Sequence, residues 1–323
     1  MATMREFSYP SGDGLHQIWA TEWLPEHCAP RAVVQIVHGI SEYVGRYAPY
    51  AEFLTGHGFA VVGDDHLGHG RTARPGEYGF IADSGGWDIL AGDVHQLRVL
   101  EGERFPDVPY FILGHSMGSF LTRTYLIRWP GSVDGAVLSG TGQEAPVTVA
   151  FGKGLAGLLC RTRGPRSVSR LITNLSLGAY NKQFKPNRTG SDWISRDEAQ
   201  VDAYVADPMC SFVPTVGMFR DMMGGLQFIA DPENLRRMDP DTPVYIYSGD
   251  KDPVGGSGAG VRKVHGFFQR AGVKDLTLKL YPNGRHEMHN ELNRDEVFAD
   301  TLAWLEGHMA RPAVEKVQSA AVR

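Results

Sequence analysis

One ten-residue run constrains the fold of this chain more than any other. Residues 110–113 are apolar and predict a short buried strand, while residues 119–129 carry a helical pattern. Between them lies Gly-His-Ser-Met-Gly, residues 114–118. A serine flanked by glycines at a strand-to-helix junction predicts a sharp turn, because glycine has no side chain to clash there. Such a turn leaves the Ser116 hydroxyl accessible beside a helix N-terminus, whose amide hydrogens stabilise negative charge. We therefore predict that Ser116 is a nucleophile.

The rest of the chain alternates between predicted strands and predicted helices. The other strands are predicted at residues 15–24, 32–37, 59–63, 136–139, 244–248 and 276–281. The other helices are predicted at residues 47–57, 86–104, 260–271 and 295–309. Uninterrupted Val, Ile and Leu runs are typical of parallel strands that are buried on both faces. The pattern predicts an α/β fold, with a mostly parallel central sheet flanked by helices.

One long segment breaks this alternation. Residues 142–239 show helical patterns and loops but no convincing pair of strands. We interpret them as a helical cap inserted over the carboxyl edge of the sheet, where open α/β sheets bind ligands. The core is then built from residues 1–141 and 240–310, and residues 311–323 form a loosely ordered tail.

Composition excludes several classes of function. The net charge is -5, which points neither to nucleic acid nor to an anionic membrane surface. No run approaches the ~20 apolar residues that span a bilayer, and the N-terminus lacks a signal-peptide pattern. Three scattered cysteines, Cys28, Cys160 and Cys210, fit a reducing compartment. We predict a cytoplasmic protein that uses no cofactor and no metal.

A nucleophilic serine needs a base and an acid that orients the base. The predicted strand 244–248 is followed by Asp250 and Asp252, and the predicted strand 276–281 is followed by His286 and His289. Both loops lie at the carboxyl edge that carries Ser116. We favour His286 as the base and Asp252 as its orienting acid, with His289 and Asp250 as the alternatives.

The tetrahedral intermediate needs amide donors for its oxyanion. The first predicted donor is the backbone N–H of Met117, which follows the nucleophile. The second comes from the loop after predicted strand 32–37, where we choose the N–H of Ile40. We predict that His38, in the same loop, braces it and does not act as a base.

In several of its motifs the chain resembles the monoacylglycerol lipase and lysophospholipase group of α/β-hydrolases. The matching segments are residues 38–47, Asp-His-Leu-Gly-His-Gly-Arg at 65–71, residues 114–118, 248–252 and 281–289. The resemblance implies a Ser116, Asp252 and His286 triad, with Ile40 and Met117 as oxyanion donors. The cap segments 191–198 and 207–210 look like those of bacterial members, which places the chain nearest the bacterial type.

Several cap residues are candidates for a substrate pocket. We predict that acyl-chain walls are formed by one apolar helical face, with contributions from two aromatic residues: Phe151, Leu155, Leu158, Leu159, Phe184 and Phe212. Other cap aromatics, among them Trp193, are divided between packing and pocket lining. Nearby arginines suggest transient contact between the cap and lipid aggregates.

Three functions remain open from the residues alone. The favoured one is a serine carboxylic ester hydrolase for lipophilic monoesters such as monoacylglycerols or lysophospholipids. The second is a capped peptidase that removes N-terminal residues. It would need carboxylates to bind an amine, and the cap offers Asp192, Asp197, Glu198, Asp202 and Asp207. The third is a binding protein that has lost turnover, against which the apparently intact triad argues.

Overall fold

The computed structural model describes residues 2–309, so the predicted tail 311–323 lies outside the described residues. Eight strands form one sheet. They are β1 (Ala2–Pro10), β2 (Gln17–Pro25), β3 (Ala32–Val37), β4 (Phe59–Asp64), β5 (Tyr110–His115), β6 (Gly135–Ser139), β7 (Val244–Gly249) and β8 (Leu276–Tyr281).

The sheet has the order β1-β2-β4-β3-β5-β6-β7-β8. β1 pairs antiparallel with β2, and β2 pairs antiparallel with β4. All the other pairs are parallel, with His115 opposite Ser139 between β5 and β6. The parallel strands therefore end at one edge, and the predicted α/β fold with a mostly parallel sheet is confirmed.

Helices connect the strands and cover both faces of the sheet. They are α1 (Ala48–Gly56), α2 (Gly86–Arg104), α3 (Met117–Arg128), α4 (Pro146–Arg163), α5 (Arg170–Leu175), α6 (Leu177–Tyr180), α7 (Glu198–Ala206), α8 (Val216–Phe228), α9 (Pro232–Leu235), α10 (Ala259–Ala271) and α11 (Arg294–Gly307). Short 3-10 turns lie at Val44–Tyr47, Asn181–Phe184 and Met288–Asn290.

Alternating side chains of the strands feed two cores. Val33 of β3 packs with α2 and α3 on one face, whereas its neighbour Val34 packs with α1 and α11 on the other. All six residues of β3 are buried. This two-sided burial explains why the central strands are uninterrupted apolar runs in the sequence.

The sequence pattern did not reveal β1. Its residues Ala-Thr-Met-Arg-Glu-Phe-Ser-Tyr-Pro are mostly polar, and the majority of their side chains are exposed or half-buried. β1 lies at the sheet edge, where it pairs only with β2. An edge strand does not need continuous apolar residues, so hydrophobic patterning does not mark it. It also tolerates a proline such as Pro10, which has no N–H to donate to a neighbouring strand.

The segment between β6 and β7 contains α4 to α9 and, within the described residues, no strand. Its start and the end of α8 are both tied to Arg123, a buried residue of α3. The Arg123 guanidinium donates to the carbonyls of Gly142 (3.0 Å) and Ile229 (3.4 Å) and to Oε1 of Gln143 (3.0 Å). The start of the inserted segment and the end of α8 therefore both lie beside the helix that follows Ser116. The exact boundaries of the predicted cap, 142–239, stay a prediction.

Two further properties bear on the compartment of the chain. Among residues 2–309 no helix has both the length and the apolarity needed to cross a membrane. Cys28, Cys160 and Cys210 are all free thiols. The cytoplasmic location stays a prediction.

Candidate active site

Ser116 lies at a strained turn between β5 and α3. Its backbone has φ 54° and ψ -120°, a conformation that L-residues with a side chain rarely adopt. The two glycines permit the turn. A Cβ at Gly114 would lie 2.4 Å from the Gly118 carbonyl oxygen, and one at Gly118 would lie 1.9 Å from the Val37 carbonyl oxygen. Any larger residue at either position would therefore force this turn apart.

Asp252 and His286 meet at the same edge of the sheet. Nδ1 of His286 lies 3.0 Å from Oδ1 of Asp252, and both residues are buried. Ser248 donates its hydroxyl to Oδ2 of Asp252 at 2.7 Å, and the Val254 N–H donates to Oδ1 at 2.9 Å. A carboxylate held in this way accepts the Nδ1 proton, so Nε2 of His286 is left as the acceptor.

The electrostatics of this pair favour protonation of His286. Burial by itself lowers the pKa of His286, but the charge of Asp252 and its hydrogen bond outweigh burial and raise the pKa above its ordinary value. The pair thus stabilises the imidazolium that a general base forms when it removes a proton.

The two alternative residues are placed elsewhere. Oδ1 of Asp250 accepts from the Asn283 N–H at 2.8 Å, and its side chain is partly exposed. His289 is buried, stacks on Tyr47 with ring centroids 4.4 Å apart, and has its pKa lowered to about 3, mainly by burial. Of the four candidates, the structure joins Asp252 to His286 only.

One small pocket contains both Ser116 and His286, together with Gly39 and Ile40. Gly39 lies against the serine, since a Cβ added to it would lie 3.1 Å from the Ser116 Cβ. Met117 is the first residue of α3, so its N–H has no partner within the helix. Met117 follows Ser116 in the chain, and Ile40 follows Gly39, which lies against Ser116. The two predicted oxyanion donors therefore both lie near the serine.

His38 braces the loop that carries Ile40. Its Nε2 accepts the His66 N–H at 3.0 Å, so its Nδ1 carries the proton and donates to the Gly39 carbonyl at 2.7 Å. Burial, followed by the neighbouring His66 and His69, lowers the pKa of His38. His38 is therefore a neutral histidine that supports the loop, as predicted from its position in the sequence.

Comparisons with known proteins bear on this geometry. The family model Hydrolase_4, described as serine aminopeptidase S33, matches residues 28–293. A monoacylglycerol lipase of Mycolicibacterium smegmatis is 31% identical over 95% of this chain and 99% of its own. The chain belongs to the Hydrolase_4 family of α/β-hydrolases. It is a hydrolytic enzyme, and the predicted resemblance is confirmed.

Other relatives agree with this assignment. The human monoglyceride lipase is 26% identical over 91% of this chain and 88% of its own. The crystal structure of a thermostable carboxyl esterase from Bacillus coagulans in complex with glycerol superposes on this hydrolase with a TM-score of 0.89. It is 30% identical and covers 96% of this chain and 100% of its own.

A buried ionic network holds two loops of this hydrolase together. Oε1 of Glu42 accepts from the Gly39 N–H at 2.6 Å and from the Tyr47 hydroxyl at 2.9 Å. Arg46 donates to Oε2 of Glu42 at 2.9 Å and to both carboxylate oxygens of Glu287, at 2.7 and 2.6 Å. The network links the loop that carries Ile40 to the residue that follows His286.

The second loop motif of the sequence is also structural. Oδ1 of Asp65 accepts from the Val44 N–H at 3.0 Å, and Oδ2 accepts from the Arg71 N–H at 2.8 Å. Gly70 lies against this carboxylate, because a Cβ there would be 2.2 Å from Oδ2. The segment 65–71 therefore folds around Asp65 and fixes the start of the 3-10 turn that contains Arg46.

The pocket walls differ from the predicted ones. The pocket beside Ser116 is lined by four residues of the segment between β6 and β7: Leu177, Trp193, Ile194 and Tyr204. None of the six predicted lining residues does so: Phe151, Leu155, Leu158, Leu159, Phe184 and Phe212 lie outside this pocket. Trp193 also packs on His286, with ring centroids 5.0 Å apart.

The six predicted residues have identifiable environments. Phe151 and Leu158 are 66% and 56% exposed, whereas Leu155 and Leu159, on the same helical face by spacing, are partly buried and pack against the core. Phe184 lies under the Arg285 guanidinium, and Phe212 packs edge-on against His69. Their contact with an acyl chain stays a prediction. Leu177 and Tyr204 were missed because sequence periodicity does not report where a cap folds back on the sheet.

Proposed function

We propose that this hydrolase cleaves lipid esters, specifically lipophilic monoesters such as monoacylglycerols or lysophospholipids, through an acyl-enzyme on Ser116. The observation that carries the proposal is the 3.0 Å contact between Asp252 and His286, the latter in a pocket that also contains Ser116. Nε2 of His286 removes the hydroxyl proton as Ser116 attacks the ester carbonyl, and the proton then passes to the leaving alcohol. Water repeats the sequence and releases the acid.

The backbone amides supply the charge stabilisation in this proposal. As the carbonyl oxygen becomes an oxyanion, it accepts hydrogen bonds from the N–H groups of Ile40 and Met117. His38 and Glu42 hold the Ile40 loop through the backbone of Gly39. The donors are therefore oriented before the substrate binds, so little reorganisation accompanies the reaction.

The pocket lining supports a lipophilic ester. Leu177, Trp193 and Ile194 provide an apolar wall, while Glu42 and Tyr204 provide polar groups within the same pocket. The curated relatives are lipases of monoacylglycerols by name. We assign the acyl chain to the apolar wall and the alcohol to the polar groups.

The pocket as it stands has a volume of about 20 Å³, room for about one water molecule. An acyl chain therefore enters only when cap residues move away from Ser116. Because residues 191–196 are tied to the histidine loop, with Ser195 donating to the Asn290 carbonyl at 2.8 Å, we assign this movement to the wall that contains Leu177.

The description of the family model favours a second candidate, an aminopeptidase. The carboxylates in the described pocket wall are Glu42 and Glu287, and Arg46 pairs with both of them. The cap carboxylates that the sequence offered are engaged too. Asp192 accepts from Thr189, and Asp207 accepts from the Tyr43 hydroxyl. An amine would have to compete with these partners, so the ester reading is favoured.

A substrate panel tests the proposal. We expect the enzyme to hydrolyse a monoacylglycerol and a p-nitrophenyl ester but not an aminoacyl amide. A fluorophosphonate should label Ser116, and Ser116→Ala should lower kcat by about 10⁴- to 10⁶-fold. Ser8→Ala, on the exposed edge strand, is the matched control and should be neutral. Preferential amide cleavage would establish the peptidase instead, and absence of both labelling and turnover would establish a binding protein.

A further inference from the structure

Ser41 has a backbone conformation that a residue with a side chain disfavours. Its φ is 59°, in the left-handed region that glycine adopts freely and other L-residues rarely do. Ser41 is buried and directly follows Ile40, whose N–H is a predicted oxyanion donor. A strained residue keeps such a conformation only where its surroundings hold it. The contacts of Ser41 therefore bear on how the preceding N–H is oriented.

The segment between β6 and β7 supplies these contacts. The Ser41 hydroxyl donates to the Phe212 carbonyl at 2.9 Å, and the Ser41 carbonyl accepts from the Ser211 N–H at 3.1 Å. Ser211 is itself left-handed, with φ 57°. Only five of the described residues other than glycine have positive φ, and two of them are bonded to each other here. Strain is therefore concentrated where the Ile40 loop meets the inserted segment.

A second hydrogen bond joins the same two loops. The Tyr43 hydroxyl donates to Oδ2 of Asp207 at 2.9 Å. Beyond the contact, Thr215 donates its N–H and its hydroxyl to the Gly79 carbonyl, at 2.9 and 2.7 Å. Residues 207–212, which we call the support segment, are thus attached to the core on both sides. The Ile40 loop is bonded to a part of the insertion that is itself held in place.

We propose that Ser41 is a positioning residue for the oxyanion donor and that it acts by bonding the Ile40 loop to the support segment. The hydroxyl bond offsets the strain of the left-handed turn. The turn in turn directs the Ile40 N–H toward the oxygen that becomes negative when Ser116 attacks. Ser41 contacts no reacting atom in this proposal. The inference rests on the proposed ester hydrolysis, because the oxyanion arises in that reaction.

The proposal has a consequence for substrate entry. The wall to which we assign the opening movement contains Leu177, which lies outside the support segment. Movement of that wall leaves the two Ser41 hydrogen bonds in place. The oxyanion donor therefore stays oriented while the pocket opens to admit an acyl chain.

Two substitutions of Ser41 separate the hydroxyl bond from the backbone conformation. Ser41→Ala removes the hydroxyl but keeps a side chain that disfavours the left-handed turn. We expect kcat for a monoacylglycerol to fall by about 5- to 30-fold, the factor by which an L-residue disfavours this conformation. KM should change by less than about twofold. Ser41→Gly also lacks the hydroxyl but adopts the turn without strain, so kcat should fall by less than about threefold.

Two inhibitors distinguish positioning from a general loss of structure. An alkyl trifluoromethyl ketone forms a tetrahedral adduct with Ser116 whose oxyanion needs the donor, whereas an alkyl glycerol ether has no carbonyl. Ser41→Ala should weaken ketone binding by about 5- to 30-fold, as it lowers kcat, and ether binding by less than about twofold. Tyr43→Phe removes the second hydrogen bond. It should lower kcat by about 2- to 10-fold with KM unchanged.

Matched controls lie before β6, at the opposite edge of the sheet. Ser132→Ala removes a hydroxyl that donates to the Trp129 carbonyl, and Tyr125→Phe removes one that is bonded to Ser132. Both should keep the kcat of the wild type.

Equal kcat in Ser41→Ala and Ser132→Ala, or a larger loss in Ser41→Gly than in Ser41→Ala, would overturn the positioning role. Equal losses of ketone and ether binding would also overturn it, because they indicate a general structural defect. A wild-type protein without ester turnover would overturn the proposed function, and this inference with it. Wild-type turnover that Ser41→Ala leaves unchanged would overturn this inference alone.

Discussion

Arg46 binds both carboxylate oxygens of Glu287, at 2.7 and 2.6 Å, directly beside the predicted catalytic base. The guanidinium also reaches Glu42 in the predicted oxyanion loop. Burial alone would raise the pKa of Glu287, and Arg46 instead holds it well below its usual range. Two halves of the candidate site, which come from opposite ends of the chain, are thus positioned by one side chain.

Loss of this cation should be costly. Arg46→Gln leaves two buried carboxylates without their partner, so we expect a loss of about 3 to 5 kcal/mol in the free energy of unfolding. Arg31→Gln is the matched control, because it removes a half-exposed pair with Glu306 worth about 0 to 1 kcal/mol. Urea denaturation measures both. Similar losses for the two variants would mean that the buried network adds no specific stability.

The identity of the orienting acid can be tested by two neighbouring substitutions. Asp252→Asn removes the acceptor of the His286 Nδ1 proton and should lower kcat by about 10⁴-fold with the fold intact. Asp250→Asn changes a partly exposed turn residue and should alter kcat by less than about threefold. Steady-state kinetics with a p-nitrophenyl ester compares them, and circular dichroism checks folding. The reverse order of effects would reassign the acid to Asp250.

The pH profile should report the raised pKa of His286. Only the neutral imidazole removes the serine proton, so kcat/KM rises with pH as His286 loses its proton. Because Asp252 raises the pKa of His286 above 6.5, the midpoint of this rise should lie above pH 6.5. The residual activity of Asp252→Asn should have its midpoint at lower pH. A midpoint that does not differ between the two proteins would show that Asp252 does not set the pKa.

A second carboxyl group, far from the site, makes stability depend on pH. Burial, and then the neighbouring Glu22, raise the pKa of Glu101 to about 7. The folded state therefore binds this proton more tightly than the unfolded chain does. The stability that the protonated carboxyl contributes to the fold is lost as pH rises from about 4.5 to 7. Glu101→Gln should avoid that loss. Between about pH 5 and pH 8, wild type should lose on the order of 1 to 3 kcal/mol relative to the variant in urea unfolding. Parallel stability curves for the two proteins would contradict this assignment.

Acyl-chain preference should depend on the pocket wall that contains Leu177. Each methylene buried contributes roughly 0.8 kcal/mol, or about fourfold in kcat/KM, until the pocket is full. Activity should climb with chain length and then level off. Leu177→Trp narrows the pocket and should lower the chain length at which activity levels off, while hydrolysis of acetyl esters persists. Leu158→Trp, on the exposed face of α4, is the control. A flat profile in all three proteins would rule out an acyl-binding pocket.

Local patterns in the sequence predicted most of the core. β3, β8 and α2 have the predicted bounds. Local residue patterns mark the two strands, because β3 is a nearly continuous apolar run and β8 alternates apolar with polar residues. The position of Asp252 after β7 and of His286 after β8 followed from the order of elements, since parallel strands end at one edge. The structure adds the direct contact between the two side chains, which spacing alone does not supply.

The cap was harder to predict for a physical reason. Its helices pack on one another and on loops distant in sequence, so a residue's position in a helix does not say which surface it meets. Phe151 and Leu158 were placed in the pocket on helical spacing, but the side of α4 that faces the protein carries Val149 and Ala156.

The pairing of β6 with β7 joins strands that the whole cap separates along the chain, from Ser139 to Val244. A fragment cut within the cap at an exposed point, such as the loop after Arg163, would carry Ser116 or its predicted base, never both. Ester hydrolysis would then report whether the two fragments have reassembled. Two such fragments, expressed apart and mixed, would regain hydrolysis only when the second half adds its strands to the sheet of the first.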